Sequence, residues 1–141
     1  MDEFVRLQYD IDGENFTSAG EASTKVKRNL RQMGFSPETI RKVSVAMYEG
    51  EINMVIHAKG GVATVDVYDD KIVIVLADEG PGIPDVALAM QAGYSTAPDN
   101  IRSLGFGAGM GLPNMKKNTD SLEIFSTVGV GTKIVMRVNY K

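Results

Sequence analysis

Tyr48-Glu-Gly-Glu-Ile-Asn-Met-Val-Ile-His57 carries two polar side chains, Glu49 and Asn53, one helical turn apart. At about 100° per residue around a helix axis, Arg41, Ser44, Tyr48 and Glu51 cluster on the side expected to face solvent. Glu49 and Asn53 fall on roughly the opposite side, among Val45, Ala46, Ile52 and Ile56. A carboxylate and an amide aimed into apolar surroundings cost several kcal/mol unless something satisfies them. A metal ion, a water chain, a ligand or a nearby backbone would each serve, and the pair alone does not choose among them.

Upstream of this stretch, Ser36-Pro37-Glu38 starts its helix with a cap residue, a proline at the first helical position and an acid in the first turn. The helix is expected to run to about Ala58, where Lys59-Gly-Gly61 breaks it. An earlier helix is predicted over Ser18 to Met33, with Ala22, Val26, Leu30 and Met33 at three- and four-residue intervals and Gly34 as its stop. Phe4 to Ile11 alternates loosely and predicts a first strand, followed by a turn at Asp12-Gly-Glu-Asn15.

Downstream, Val62–Tyr68 and Lys71–Ala77 read as two strands joined by a tight Asp69-Asp70 hairpin. Ile72-Val-Ile-Val-Leu-Ala77 is apolar on both faces, which marks a central strand. Leu122–Thr127 and Thr132–Asn139 form a second hairpin through Val128-Gly-Val-Gly131. In the final strand Ile134, Met136 and Val138 face one way, so one face of the sheet is covered and the other largely wet. The fold class is therefore α+β: a two-layer α/β sandwich with a mixed, mostly antiparallel sheet and helices on one face. Residues 78–113 form a long glycine-rich middle in which only Asp85–Ala92 and Gly111–Lys117 look helical. Loops of that length are usually functional or disordered.

The 141 residues suit a single domain, 1–141, with a hydrophobic core of its own, and no internal repeat is visible. The net charge of −3 gives no sign of a nucleic-acid partner. With no cysteine, thiolate catalysis, disulfides and cysteine zinc sites are excluded, and the single histidine, His57, rules out a polyhistidine metal site. No apolar run approaches the roughly 20 residues of a membrane span, and Met1-Asp-Glu-Phe4 is no signal peptide; a soluble, cytoplasmic chain without a membrane partner is expected. His57 suits the dipole of its helix end, the methionines, Met47 and Met54 among them, fill gaps in the core, and Lys116-Lys117 reads as a solvated helix end.

Two further features carry chemistry. Asp78-Glu-Gly-Pro-Gly82 ends the central strand, where an aspartate can accept a hydrogen bond from an exocyclic amine while Gly80 and Gly82 admit a flat ligand. Gly105-Phe-Gly-Ala-Gly-Met-Gly-Leu112 opens a helix, and glycines before a helix N-terminus expose N–H groups that suit phosphates. A P-loop needs Gly-Lys-Ser/Thr after its glycines, and Leu112-Pro113 stands there instead. A Rossmann fingerprint needs its glycines directly after a strand, whereas Thr96-Ala-Pro-Asp-Asn-Ile-Arg102 precedes these.

In their order, the acid and amide on a helix, Asp-x-Gly-x-Gly after a central strand, and the glycine-rich loop entering a helix, the sequence resembles the GHKL, or Bergerat-fold, ATPase family. Over roughly residues 15–138 it is similar to the single-domain anti-sigma and switch serine/threonine kinases. The resemblance implies ATP and Mg²⁺ as cofactors. Asn53 would hold Mg²⁺, Glu49 would be the general base, and Asp78 would read the adenine amine, with Gly80, Gly82 and Ile83 shaping the adenine wall. Residues from about Tyr94 to Gly109 would form a lid over the phosphates, with Gly107, Gly109 and Gly111 letting it close and Arg102 reaching a phosphate; Thr132 would help bind adenine near Asp78. The implied activity is an ATP-dependent serine/threonine protein kinase regulating by partner switching, its substrate a STAS-domain antagonist and its competing partner a sigma factor or a phosphatase. The Gly111-Leu-Pro113 string is closer to switch kinases that activate a phosphatase pathway.

Gly50 and Glu51 replace the small apolar residues usual after the base; a mid-helix glycine costs about 1 kcal/mol against alanine, and Glu51 is expected in solvent, away from the site. Rival readings are a nucleotide-dependent sequestering module without phosphotransfer, which would not need Glu49, and the catalytic ATP-binding subunit of a two-component histidine kinase. ATP hydrolysis in a DNA-handling or chaperone machine normally requires further domains. Apolar surface near the N-terminal strand would support a homodimer.

Overall fold

A computed structural model describes residues 3–12, 20–57, 60–83 and 111–141. In chain order these form β1 (Val5–Asp12), α1 (Glu21–Gln32), α2 (Pro37–His57), β2 (Gly60–Val67), β3 (Lys71–Asp78), α3 (Gly111–Lys117), β4 (Ser121–Thr127) and β5 (Gly131–Asn139). The helix expected over Asp85–Ala92 lies outside the described residues. The strands make one sheet in the order β1-β2-β3-β5-β4; it is the mostly antiparallel sheet expected, and among the described residues its four ladders are all antiparallel, with no parallel pair. β3 lies at the centre, as its two apolar faces require.

Ala63, Val65, Ile72, Ile74, Leu76, Ile134, Met136 and Val138 form the buried side of the sheet. Against them pack Val43, Ala46, Met47, Met54 and Val55 of α2 and Met115 of α3, with Val26 and Leu30 of α1 completing the core. The outer face is partly polar; there Arg6 holds Asp66 through two hydrogen bonds of 2.8 and 2.9 Å. Among the described residues no helix is long and apolar enough to cross a membrane.

The boundaries follow local chemistry. Ser36 Oγ accepts the Thr39 N–H at 3.2 Å, capping α2, and Gly34 with φ 86° ends α1 in the left-handed conformation. Met33 falls past the end of α1 and stays exposed, so it does not extend the buried stripe of Ala22, Val26 and Leu30. Lys116 and Lys117 are exposed at the end of α3.

One expectation is overturned. Glu51 is 2% exposed and not in solvent. α2 packs on the sheet with one side and against α1 with another, so the face assigned to water is largely covered. Arg41 and Tyr48 remain exposed there, while Ser44 is half-buried. Gly50 also has a reason: a Cβ there would overlap Leu76 Cδ1 and lie 3.5 Å from Met115 Sδ, so the glycine lets α2 settle onto β3.

Just past β5, Tyr140 packs over the β2–β3 turn, its N–H donating to the Asp70 carbonyl, its hydroxyl donating to the Tyr68 carbonyl and its ring meeting Phe35 edge-on at 4.7 Å. Its pKa is raised, first because burial disfavours the phenolate and then through Asp69 and Asp70. A raised folded-state value favours the neutral phenol. The stabilisation is therefore complete below the ordinary value near pH 10 and is lost as pH rises through the folded-state value. Tyr140→Phe should flatten the alkaline fall in stability, as followed by urea unfolding between about pH 8 and 11.

Candidate functional site

Glu49 and Asn53 lie on the side of α2 that meets α3, and both are half-buried. α3 is held by Leu112 and Met115, which are buried in the core. From its first turn Asn114 Nδ2 donates to Glu49 Oε1 at 3.2 Å. A Cβ on Gly111 would stand 3.0 Å from Asn53 Nδ2 and 3.1 Å from Oδ1, so the glycine lets the start of α3 approach the amide without displacing it. The acid and the amide thus converge on the N-terminal turn of one short helix. Asn114 was missed by sequence reasoning; its three-residue spacing from Gly111, which puts both on one helical face, was the available signal.

At the end of β3, Asp78 pairs with Thr132 across the ladder. Asp78 Oδ1 accepts the Gly80 N–H at 2.9 Å and the Thr132 N–H at 3.2 Å. These bonds fix the carboxylate, and among the described residues none donates to Oδ2. Ser126 Oγ lies 3.0 Å from Thr132 Oγ1 and accepts the Ile83 N–H at 2.6 Å. Ser126 was also missed, although it faces Thr132 directly across the β4–β5 hairpin. Gly82, at φ 81°, has no room for a Cβ, which would come 2.6 Å from the Thr127 carbonyl oxygen. Asp78, Gly80, Ile83, Ser126 and Thr132 are therefore joined by one run of hydrogen bonds, with Gly82 pressed against Thr127 beside it.

The two groups of residues are linked through Gly61. A Cβ there would overlap Met54 of α2 and lie 3.1 Å from Asp78 Cα; Met54 is the residue after Asn53. Arg102, Gly107 and Gly109 lie outside the described residues. No three histidine, aspartate or glutamate side chains gather into a metal-binding cluster among the described residues.

An α+β sandwich with an acid and amide on the central helix and an aspartate closing the central strand defines the class of this protein. A family model for the histidine kinase-like ATPase domain matches residues 14–138, and the chain belongs to that family. It is 38% identical over 120 residues to an anti-sigma F factor of Caldanaerobacter subterraneus subsp. tengcongensis, covering 82% of this chain and 80% of that one. An anti-sigma F factor of Clostridium perfringens strain SM101 is 30% identical over 97% of this chain and 96% of its own. The serine/threonine-protein kinase RsbT of Bacillus subtilis strain 168 is 30% identical over 80% of this chain and 83% of its own. Among solved structures, the RsbU and RsbW domains of a Mycobacterium tuberculosis protein superpose with a TM-score of 0.64 at 16% identity, over 95% of this chain and 32% of that one. The mycobacterial sensor histidine kinase MprB gives 0.54 at 18% identity, over 96% and 97%. At these identities the structures share the fold alone.

Proposed function

We propose that the chain is an ATP- and Mg²⁺-dependent serine/threonine protein kinase that regulates by partner switching. The observation that carries this reading is the convergence of Glu49 and Asn53 on the first turn of α3. Phosphoryl transfer asks a protein mainly for positioning and charge neutralisation, and this corner offers a carboxylate, an amide and a helix start opened by glycine.

In this reading Asp78 Oδ2 accepts a hydrogen bond from the adenine amine while Oδ1 stays tied to Gly80 and Thr132. Gly80, Gly82, Ile83 and Thr132 line the base. Asn53 would hold Mg²⁺ through its amide oxygen. The donor set fits: Mg²⁺ keeps several waters and binds few protein ligands, often sharing phosphate oxygens, and a half-buried amide with no carboxylate cluster around it among the described residues suits that arrangement. When bound, the ion neutralises phosphate charge. Glu49 orients the attacking serine or threonine hydroxyl and takes its proton as the new O–P bond forms at the γ-phosphorus and the bond to the ADP oxygen breaks.

The substrate in this reading is a serine or threonine on a STAS-domain antagonist. A sigma factor or a phosphatase competes for the same regulator, in keeping with the anti-sigma and kinase names of the relatives. Retention of Glu49 favours transfer over simple sequestration, which needs no base. The test is incubation with γ-labelled ATP, Mg²⁺ and a STAS-domain protein from the same genome: label on one serine or threonine supports the reading, and ATP binding without transfer to any such protein opposes it.

A further inference from the structure

Glu51 belongs to the same ten-residue stretch as Glu49 and Asn53, yet the nucleotide reading leaves it unused. It is 2% exposed. Its carboxylate accepts the backbone N–H groups of Gly20 at 2.9 Å, Ala22 at 3.2 Å and Ser23 at 3.1 Å. Gly20 stands at the N-cap of α1 with φ 97° and has no side chain to cap with. Glu51 therefore caps α1 from a different helix, and hydrogen bonds from N–H groups to a carboxylate at a helix start are strong.

Glu51 is two positions from each of Glu49 and Asn53, about 200° around the helix axis. The side of α2 gripped by α1 is thus opposite the side that presents both site residues to α3. Gly50, seated on Leu76 and Met115, fixes the remaining direction. With a helix radius of about 5–6 Å including side chains, a 10° roll of α2 moves Asn53 and Glu49 by about 1 Å. A misplacement of that size can cost a reaction on the order of 10²-fold.

We propose that Glu51 is a positioning residue: its clamp on the start of α1 sets the roll of α2 and thereby the placement of the Asn53 amide and the Glu49 carboxylate at the phosphate end of the nucleotide. The proposal rests on the nucleotide reading above. It separates two ends of one site, because the Asp78 carboxylate is held by the Gly80 and Thr132 N–H groups and makes no hydrogen bond to α2 among the described residues.

The test is calorimetric binding of ATP, with and without Mg²⁺, to the native chain, Glu51→Ala, Glu51→Gln and Asn53→Ala. The native chain should bind more tightly with Mg²⁺, and Asn53→Ala should lose that gain. Glu51→Ala should lose most of the gain as well, while its affinity without Mg²⁺ stays within about threefold of native, a split that simple loss of stability does not produce. Glu51→Gln, which keeps the shape and one acceptor oxygen, should fall between. A native-like gain in Glu51→Ala overturns the proposal and leaves Glu51 a helix cap. If Glu51→Ala does not fold, Glu51→Gln decides, a native-like gain overturning the proposal and a reduced gain supporting it. Absence of ATP binding by the native chain would instead overturn the nucleotide reading and this proposal together.

Discussion

Glu49→Ala is expected to lower γ-phosphoryl transfer by about 10²- to 10⁴-fold, the usual contribution of a general base. Affinity for ATP should stay within about threefold of native, because Glu49 is not part of the Asp78 network and transfer-only interactions leave ground-state binding intact. The more discriminating variant is Glu49→Gln. Its amide can still meet Asn114, which lies 3.2 Å from the native carboxylate, so the corner keeps its packing and loses only its capacity to take a proton. Glu49→Gln should therefore be as inactive as Glu49→Ala in single-turnover transfer. Native-like transfer by Glu49→Gln would assign the residue to scaffolding, and another group would have to orient the hydroxyl.

Gly131→Ala should cost about 3 kcal/mol of stability, from a strained φ together with overpacking against backbone. Gly131 has φ 149°, and a Cβ there would overlap the Asp78 carbonyl oxygen and reach 3.0 Å from Glu79 Cα. Neither obstacle is a side-chain end that can swing aside. Gly129 is the internal control: its φ is 80°, yet nothing lies within 4 Å of a Cβ built on it. Gly129→Ala should cost only the conformational part, about 1 kcal/mol. Urea midpoints of the two variants measure the difference, and equal midpoints would mean that the β5 start does not press on Asp78. Because Asp78 sits at the contact, Gly131→Ala should also weaken ATP binding where Gly129→Ala does not.

Much of the architecture was legible because it rests on short-range rules. Ile72 to Ala77 declared a central strand through apolar residues on both faces, the Asp69-Asp70 turn declared its hairpin, and Ser36-Pro37-Glu38 declared the start of α2. The family pattern singled out Asp78 and Thr132, and the structure places them opposite one another. The insertion of β5 between β3 and β4 was not legible, since strand order is decided by long-range pairing that periodicity does not encode.

Glu51 shows the deeper limit. A helical wheel assumes one covered side, and α2 has two, the second supplied by α1 some thirty residues upstream. A buried carboxylate is satisfied there by backbone N–H groups, and no side-chain pattern announces a backbone donor. Gly50 is similar: its apparent cost as a mid-helix glycine is explained only by Leu76 on a strand formed later in the chain. Asn114 and Ser126 needed only local spacing to be noticed, one sharing a helix face with Gly111 and the other facing Thr132 across a hairpin.

In the proposed nucleotide site, Asp78 reads the base at one end and Asn53 completes the phosphate end. Calorimetry of ATP binding, with and without Mg²⁺, on the native chain and on Asp78→Asn tests it most directly. Asp78→Asn replaces one acceptor oxygen by a donor amide and is predicted to abolish a binding that, in the native chain, Mg²⁺ strengthens. No ATP binding by the native chain, or equal binding by Asp78→Asn, would contradict the claim.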